Sequence, residues 1–181
     1  KTSEIYNKKR KKKLAIHSRS KVLCGKFRKG HFEGVLDVMD RLTNLIKPKK
    51  IFMGKKDFQQ LFLVKGFIEK KYKTKVIGCK TIRDKNKIAL SSRNYLLNKD
   101  NLNIAGKISK NLFQLKIKIR NKKNISQFLL KEKKRLQKTF KIKIDYMELR
   151  NTKNLQISNN SIGSKIFISY YLNNIRLIDN F

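Results

Sequence analysis

Residues 51–79 read IFMGKKDFQQLFLVKGFIEKKYKTKVIGC, and their pattern sets the fold class. Ile51 to Gly54 form a short apolar run that ends in glycine, which is typical of a buried strand. Apolar residues then recur at helical spacing, and a second apolar run follows at 76–79. Strand, helix and strand in that order predict a parallel sheet covered by helices, that is, an α/β fold. The apolar positions of the predicted helix are Phe58, Leu61, Phe62, Val64, Phe67 and Ile68.

The flanking segments divide the chain into two predicted domains. Upstream, a helix begins near Phe32 and ends before Pro48, and its predicted buried face carries Val35, Val38, Met39, Leu42, Leu45 and Ile46. Downstream, we predict a helix capped by Asn98, a helix over 125–138, a strand over 142–146 and a terminal hairpin around Asn173 and Asn174. The prediction is a partial Rossmann-like parallel sheet with helices over 1–88, followed by a small α+β domain over 89–181.

The charge is extreme, because 47 Lys and Arg face only 12 Asp and Glu, for a net charge of +35. Such a charge fits a polyanion partner, but lysine is spread over nearly every segment, which favours a general compositional bias. The one compact run, Lys8 to Lys13, is predicted to be a solvated loop. Cys24 and Cys79 show no metal-binding spacing, and we expect two buried, reduced thiols in a cytoplasmic protein. With only two histidines, no metal site of the protein's own is predicted.

The junction MGKKDFQQ at 53–60 is the first candidate for chemistry. Gly54 lets the backbone approach a ligand, and the start of the following helix offers free N–H groups to a phosphate. Lys56 can follow phosphate oxygens, and Asp57 either caps the helix or accepts a hydrogen bond from a ribose hydroxyl. Gln60 falls between the apolar rows and could reach a ligand. An ordinary capped surface helix explains these residues equally well.

The segment IALSSRN at 88–94 is the second candidate. Ser91 and Ser92 supply hydroxyl donors, and the guanidinium of Arg93 can clamp a phosphate. The alternatives are that the two serines cap a helix in a capping box or belong to an ordinary polar loop. Both candidate segments follow predicted parallel strands, so we expect them at the sheet edge where ligands bind in open α/β folds. A third segment, FRKGHFEG at 27–34, carries His31, for which a structural role is favoured.

Four segments, at the right spacings, resemble the pantothenate synthetase (pantoate–β-alanine ligase) family. They are FRKGHFEGV at 27–35, FMGKKDFQQL at 52–61, IGCKTIRDKNKIALSSRNYL at 77–96 and RLIDN at 176–180. The family writes them as RPGHFxGV, FGEKDxQQL, a G-x-P-T-x-R segment leading to LxxSSRNxYL, and RLIDN. The resemblance runs from near residue 3 to the end of the chain.

The resemblance implies an ATP-dependent ligase that joins pantoate to β-alanine through a pantoyl adenylate, with Mg²⁺ accompanying the ATP. It implies a cytoplasmic homodimer with small-molecule substrates, no membrane and no specific nucleic acid. Lys56 and Arg93 are the implied catalytic residues, Gln60 binds pantoate, and Ile82 contacts adenine through its backbone. The implied ATP site consists of Gly54, Lys55, Lys56, Asp57, Ile82, Leu90, Ser91, Ser92 and Arg93.

The sequence also departs from the family pattern. Lys55 stands at the family's acidic or amide position, and Lys29 and Lys80 replace loop prolines. The family opens with a strand and an M-G-x-L-H-x-G-H loop whose histidines stabilise the transition state, and nothing in residues 1–181 matches that block. We therefore expect a C-terminal portion of the ligase that is nearly inactive alone. The alternatives are a basic nucleic-acid-binding protein and a decayed copy without function.

Overall fold

The structure is a computed structural model that describes residues 21–181. These residues form two compact units, an N-terminal unit that ends at Lys80 and a C-terminal unit over Thr81–Phe181. The predicted domain boundary between residues 88 and 89 stays a prediction. The basic run Lys8–Lys13 lies outside the described residues. Within residues 21–181, no helix combines the length and apolar character needed to cross a membrane.

The N-terminal unit has the predicted strand–helix–strand order. A short helix α1 (Cys24–Phe27) and helix α2 (His31–Ile46) precede strand β1 (Lys50–Gly54), helix α3 (Phe58–Lys71) and strand β2 (Lys75–Cys79). The two strands are parallel, with Ile51 opposite Val76 and Met53 opposite Gly78. The predicted parallel sheet with covering helices is therefore confirmed.

The core of this unit joins α2 and α3 to the sheet, through Leu36, Leu61, Val64, Ile68 and Val76. The predicted buried face of α2 was partly wrong, because Leu45 and Ile46 are 63% and 65% exposed. The helix instead buries Phe32, Leu36, Asp40 and Thr43. Periodicity finds an apolar stripe, but the position of the neighbouring helix decides which side of it is covered.

A polar cluster ties the end of α3 to α2. Asp40 is 4% exposed, and its carboxylate accepts hydrogen bonds from Lys71 Nζ at 2.8 Å and from the Tyr72 hydroxyl at 2.7 Å. The hydrogen bond to Asp40 raises the pKa of Lys71, although burial opposes that rise. Burial and the same carboxylate raise the pKa of Tyr72. A buried carboxylate is stable here because charged and polar donors satisfy it.

The C-terminal unit packs two helices on an antiparallel sheet. A short 3-10 helix (Ser92–Leu96) leads to helix α4 (Lys99–Lys118) and, after a second 3-10 turn (Ile119–Asn121), to helix α5 (Ile125–Phe140). Strands β3 (Lys143–Asn151), β4 (Ser164–Leu172) and β5 (Ile175–Asn180) follow, in the order β3-β4-β5. The predicted hairpin is confirmed, with Leu172 opposite Ile175. The predicted cap is confirmed too, because Asn98 Oδ1 accepts from the Asn101 N–H at 2.9 Å.

The core of the C-terminal unit is larger than that of the N-terminal unit. Helix α4 contributes an apolar face, with Ala105, Ile108 and Leu112 at 0% exposure. The other fully enclosed members are Leu136, Ile166 and Ile168. Helices on one face of an antiparallel sheet make this unit α+β, as predicted.

The cysteine prediction was half right. Cys24 is buried in α1, as expected, but Cys79 is exposed at the end of β2. Neither forms a disulfide. A strand end exposes its last side chain when nothing packs beyond it, which composition alone does not reveal.

Glycine at position 78 is required by packing, so Gly78→Val should destabilise the protein. A Cβ there would lie 2.8 Å from Leu61 Cδ2 and 3.0 Å from Lys55 Cε. We expect a loss of about 1–3 kcal/mol in the free energy of unfolding, measured by urea denaturation. Gly66→Ala is the control, because a Cβ at that helical position meets nothing within 4 Å. It should stabilise by about 0.5–1 kcal/mol, and equal losses in both variants would contradict the packing argument.

The Asp40 cluster should make the free energy of unfolding depend on pH in the alkaline range. Lys71 and Tyr72 have pKa values raised above 10.5 and 10.0, so their contribution is complete below about pH 10 and is lost as pH rises through the folded values. Asp40→Asn should lower the free energy of unfolding by about 1–2 kcal/mol at pH 8, since Lys71 is half exposed and screened. The difference between the two proteins should shrink as the pH rises beyond 10.5. A constant difference across this alkaline range would refute the linkage.

Candidate functional site

The glycine–lysine turn, Gly54 to Asp57, lies at the carboxyl end of a parallel strand. Gly54 ends β1, Lys55–Asp57 form one 3-10 turn, and α3 begins directly afterwards at Phe58. The sequence places glycine, lysine and aspartate where a strand end meets a helix start. In open α/β sheets this is the edge at which ligands bind, and the helix start favours negative charge.

Glycine at position 54 is explained by neither backbone strain nor packing within the described residues. Its φ of −68° suits any residue, and a Cβ added there would meet nothing within 4 Å. The turn therefore presents an uncovered stretch of main chain. That exposure leaves its backbone accessible to an incoming group.

The two lysines of the turn occupy different environments. The aliphatic stem of Lys55 packs over strand β2, with Cγ 3.2 Å from the position of a Cβ on Gly78. The Lys56 side chain is only 18% exposed, and its Nζ lies 3.9 Å from Asp57 Oδ1. Asp57 is 49% exposed, and its side chain makes no capping hydrogen bond to α3. The capping alternative for Asp57 is therefore wrong.

The adjacent glutamines point in different directions, as expected for neighbours on a helix. Gln59 is 5% exposed, and its Nε2 donates to the Val22 carbonyl at 2.8 Å. Gln60 is half-buried, and its side chain makes no hydrogen bond with any residue in 21–181. Gln59 therefore has a structural role, and Gln60 keeps its amide available on the side of α3 near the turn.

The loop after Thr81 folds back as a short antiparallel pair. Arg83 pairs with Ala89 in an isolated antiparallel β-bridge, and the Leu90 N–H donates to the Ile82 carbonyl at 3.0 Å. The side chains of Ile82 and Leu90 are 70% and 53% exposed, so two apolar side chains stand side by side in solvent. The Ile82 N–H makes no hydrogen bond with the part of the chain that the structure describes. An apolar pair beside a free main-chain donor is chemically suited to a flat heterocycle.

The serine–arginine loop, Leu90 to Arg93, combines a cap with exposed donors. Ser91 Oγ accepts from the Arg93 N–H at 3.2 Å, so Ser91 caps the 3-10 helix, as the capping alternative predicted. Ser92 is exposed, and its hydroxyl makes no hydrogen bond within residues 21–181. Arg93 Nη1 donates to the Arg176 carbonyl at 2.9 Å, which orients the guanidinium. Its other donors remain for a ligand.

Sequence reasoning missed the ion pair that anchors this loop. Arg83 Nη1 and Nη2 donate to the two Asp179 carboxylate oxygens at 2.6 and 2.8 Å. The Asp179 side chain is buried at 8% exposure, and the Arg83 side chain is largely covered at 15%. The Arg83 guanidinium also lies 4.5 Å from the Phe181 ring centroid and 5.1 Å from that of Phe113. The available signal was Asp179 itself, an acid inside an apolar strand, which needs a buried partner.

The motif RLIDN serves as the support of both arginines. Asp179 holds Arg83, and the Arg176 carbonyl holds Arg93. The Arg176 side chain is itself tied to Asp145 Oδ2 at 2.8 Å. The last strand therefore supports the whole segment from Ile82 to Arg93. This explains in physical terms why the closing motif accompanies the serine–arginine loop.

The candidate residues fall into two groups, one in each unit. Gly54, Lys55, Lys56, Asp57 and Gln60 belong to the N-terminal unit, whereas Ile82, Leu90, Ser91, Ser92 and Arg93 belong to the C-terminal unit. The convergence of both groups on one triphosphate stays a prediction. His31 contacts Arg28, with Nε2 2.8 Å from Nη1. Residues 21–181 contain no cluster of three His, Cys, Asp or Glu side chains that could hold a metal ion.

Comparisons with known proteins agree on one family. The family described as Pantoate-beta-alanine ligase matches residues 1–181. A curated pantothenate synthetase of Clostridium botulinum is 36% identical over 99% of this chain, and one of Campylobacter hominis is 34% identical. The chain spans 65% of the first relative's length and 66% of the second's.

Solved structures of similar proteins support the same fold. A pantothenate synthetase from Thermus thermophilus superposes with a TM-score of 0.84 at 23% identity, covering 100% of this chain and 67% of that protein. A pantoate-beta-alanine ligase from Francisella tularensis, complexed with beta-gamma ATP and beta-alanine, has a TM-score of 0.72 at 30% identity. That comparison covers 93% of this chain and 56% of the other.

Removing one partner of the Arg83–Asp179 pair should be strongly destabilising. Asp179→Ala leaves the largely covered Arg83 guanidinium without its carboxylate, so we expect a loss of about 3–5 kcal/mol in the free energy of unfolding. The matched control is Glu132→Ala, which breaks the more exposed pair with Arg135. That variant should lose less than about 1 kcal/mol. Equal losses from the two variants in urea denaturation would contradict the role of burial.

Proposed function

Since the chain belongs to the pantoate–β-alanine ligase family, we propose that it provides ATP- and pantoate-binding residues of a pantothenate synthetase. The reaction joins pantoate to β-alanine with release of AMP and pyrophosphate, a step of coenzyme A biosynthesis. The single observation that carries the proposal is the family match over residues 1–181. The beta-gamma ATP and beta-alanine bound by the Francisella tularensis relative support it.

The glycine–lysine turn is proposed to hold the ATP phosphates and ribose. Its support is a main chain left uncovered at Gly54 and a partly enclosed cation at Lys56, both at the carboxyl end of β1. Lys55 adds positive charge at the border of the ATP site. Asp57 has no capping role, so its carboxylate can accept a hydrogen bond from a ribose hydroxyl. Gln60 binds pantoate through its uncommitted amide.

The C-terminal group is proposed to hold adenine and the triphosphate. The Ile82 backbone donor faces the base edge, and the exposed Leu90 side chain borders the nucleotide. Ser91 and Ser92 donate to phosphate oxygens through main-chain and hydroxyl groups. Arg93 is held by the Arg176 carbonyl and directs its remaining N–H groups to the phosphates. Guanidinium donors in a rigid fork match phosphate oxygens.

The proposed chemistry is nucleotidyl transfer followed by acyl transfer. A pantoate carboxylate oxygen attacks the α-phosphorus of ATP, and the bond to pyrophosphate breaks. The β-alanine amine then attacks the acyl carbon, and AMP leaves with the electron pair of the broken bond. Lys56 and Arg93 contribute by orienting and neutralising phosphate oxygens whose charge grows in the transition state.

Mg²⁺ is proposed to accompany ATP. The ion is expected to be held mainly by triphosphate oxygens and water, as is usual for nucleotide-bound magnesium. Bound there, it neutralises phosphate charge. We further propose a cytoplasmic homodimer, which sedimentation equilibrium of the purified protein can test.

Variants of the two cations should weaken ATP binding by the 181-residue chain. Loss of a charged hydrogen bond to phosphate predicts about 10- to 100-fold higher Kd for Lys56→Ala and for Arg93→Ala, measured by titration calorimetry with MgATP. Gln60→Ala should weaken pantoate binding and leave ATP binding unchanged. The matched control is Lys70→Ala, an exposed lysine in the last turn of α3.

Bulk charge is the competing explanation, because a +35 protein attracts any polyanion. At about 0.15 M salt, where exposed charges are largely screened, the Lys70→Ala control should bind ATP like the unchanged protein. Tripolyphosphate should bind more weakly than ATP. Equal weakening by Lys56→Ala and Lys70→Ala would overturn the proposed site. Saturable binding of one nucleic-acid sequence at the same salt concentration would favour the nucleic-acid alternative instead.

A further inference from the structure

A cavity of about 480 Å³ opens in the C-terminal unit. It is lined by the first turns of α4, by the junction of α5 with β3 and by the β4–β5 turn. Its volume falls within the range of small-molecule pockets. No residue predicted to bind ATP or pantoate lines it. The cavity therefore shares no residue with the proposed ATP and pantoate sites.

The lining joins cations to an apolar floor. Ile104 and Phe140 contribute apolar surface, and Lys141 and Lys143 contribute two ammonium groups. Lys141 is placed by the end of α5, where it adopts a left-handed backbone with φ 50°. No Asp or Glu lines the cavity, so its two cations are not neutralised from within. This composition favours an organic anion over a cation or a neutral sugar.

One asparagine at the cavity has an uncommitted amide. Asn101 is 8% exposed, and its backbone N–H donates to Asn98 Oδ1, but its side chain makes no hydrogen bond within 21–181. Neither amide atom is fully buried, so the amide reaches solvent and can bind a ligand in the cavity. The Tyr171 hydroxyl, also in the lining, makes no hydrogen bond with residues 21–181 either.

We propose that this cavity is a second small-molecule site, for an organic anion that joins one phosphate or carboxylate to a small apolar group. The ammonium groups of Lys141 and Lys143 attract the anionic end. The Asn101 amide supplies a directional hydrogen bond, and Ile104 and Phe140 contact the apolar end. A ligand that carries both an anionic and an apolar group should therefore bind more tightly than inorganic phosphate.

The test uses phenyl phosphate as the probe and the full 181-residue chain labelled with ¹⁵N. Amide signals near Asn101, over 140–143 and over 171–174 should shift saturably in NMR spectra, and inorganic phosphate and phenol alone should each bind more weakly. The double variant Lys141→Gln, Lys143→Gln should raise the Kd about tenfold, as expected for the loss of two partly screened charge contacts. Asn101→Ser should raise it as well.

Lys138→Gln is the matched control, because Lys138 is an exposed lysine of the same helix that does not line the cavity. It should leave the Kd unchanged. The proposal is overturned if no probe shifts these amides, or if the shifts spread over the lysine-rich surface without saturating. It is also overturned if Lys138→Gln weakens binding as much as the double variant. The glutamine variants alter exposed residues and should therefore remain folded. An unchanged thermal melt will verify this.

Discussion

The bidentate ion pair between Arg83 and Asp179 supports the largest part of the candidate site. Its N–O distances are 2.6 and 2.8 Å, Asp179 is buried and Arg83 is only 15% exposed, so neither can be removed without leaving the other largely desolvated and uncompensated. The pair pins the start of the loop to the last strand. The hydrogen bond from Leu90 to Ile82 and the hydrogen bond from Arg93 to the Arg176 carbonyl then hold the serine–arginine loop in place. The donors that we propose to bind phosphate are thus held by the antiparallel sheet although they lie on a loop.

Three acids of this chain serve similar internal purposes. Of the 12 Asp and Glu, Asp40, Asp145 and Asp179 have side chains at most 8% exposed, and each binds a cationic side chain. Acids in these positions do little to neutralise the surface, so the net charge of +35 remains largely exposed. A strongly cationic surface raises the local concentration of anions, and ATP and pantoate are both anions. The same positive potential also attracts other anions non-specifically. The specificity of any anion site in this protein must therefore come from the geometry of its donors.

Most of the fold was predictable because apolar residues recur with a clear period within its helices and strands. The strand–helix–strand order of residues 51–79, the Asn98 cap and the Asn173–Asn174 hairpin follow from local chemistry that distant residues do not alter. The exposure of Leu45 and Ile46 was not predictable, because a stripe of apolar residues does not show where its neighbour lies. The same holds for Cys79, whose exposure depends on what packs beyond a strand end. In the site, the capping role of Ser91 was one of two interpretations from sequence, and its hydrogen bond to the Arg93 N–H confirms that role, whereas its contact with phosphate stays a prediction.

The sequence by itself determined the element types, the α/β and α+β character of the two units, and the residue types that we propose to bind phosphate. These follow from spacing and side-chain chemistry within short windows. The tertiary structure alone decided that Gln59 is buried while Gln60 keeps its amide available, that Lys55 packs over Gly78, and that RLIDN supports Arg83 and Arg93. Each of these depends on residues far apart in the chain. Their pairing is chosen by the requirement that buried polar groups find partners and that packed atoms do not overlap.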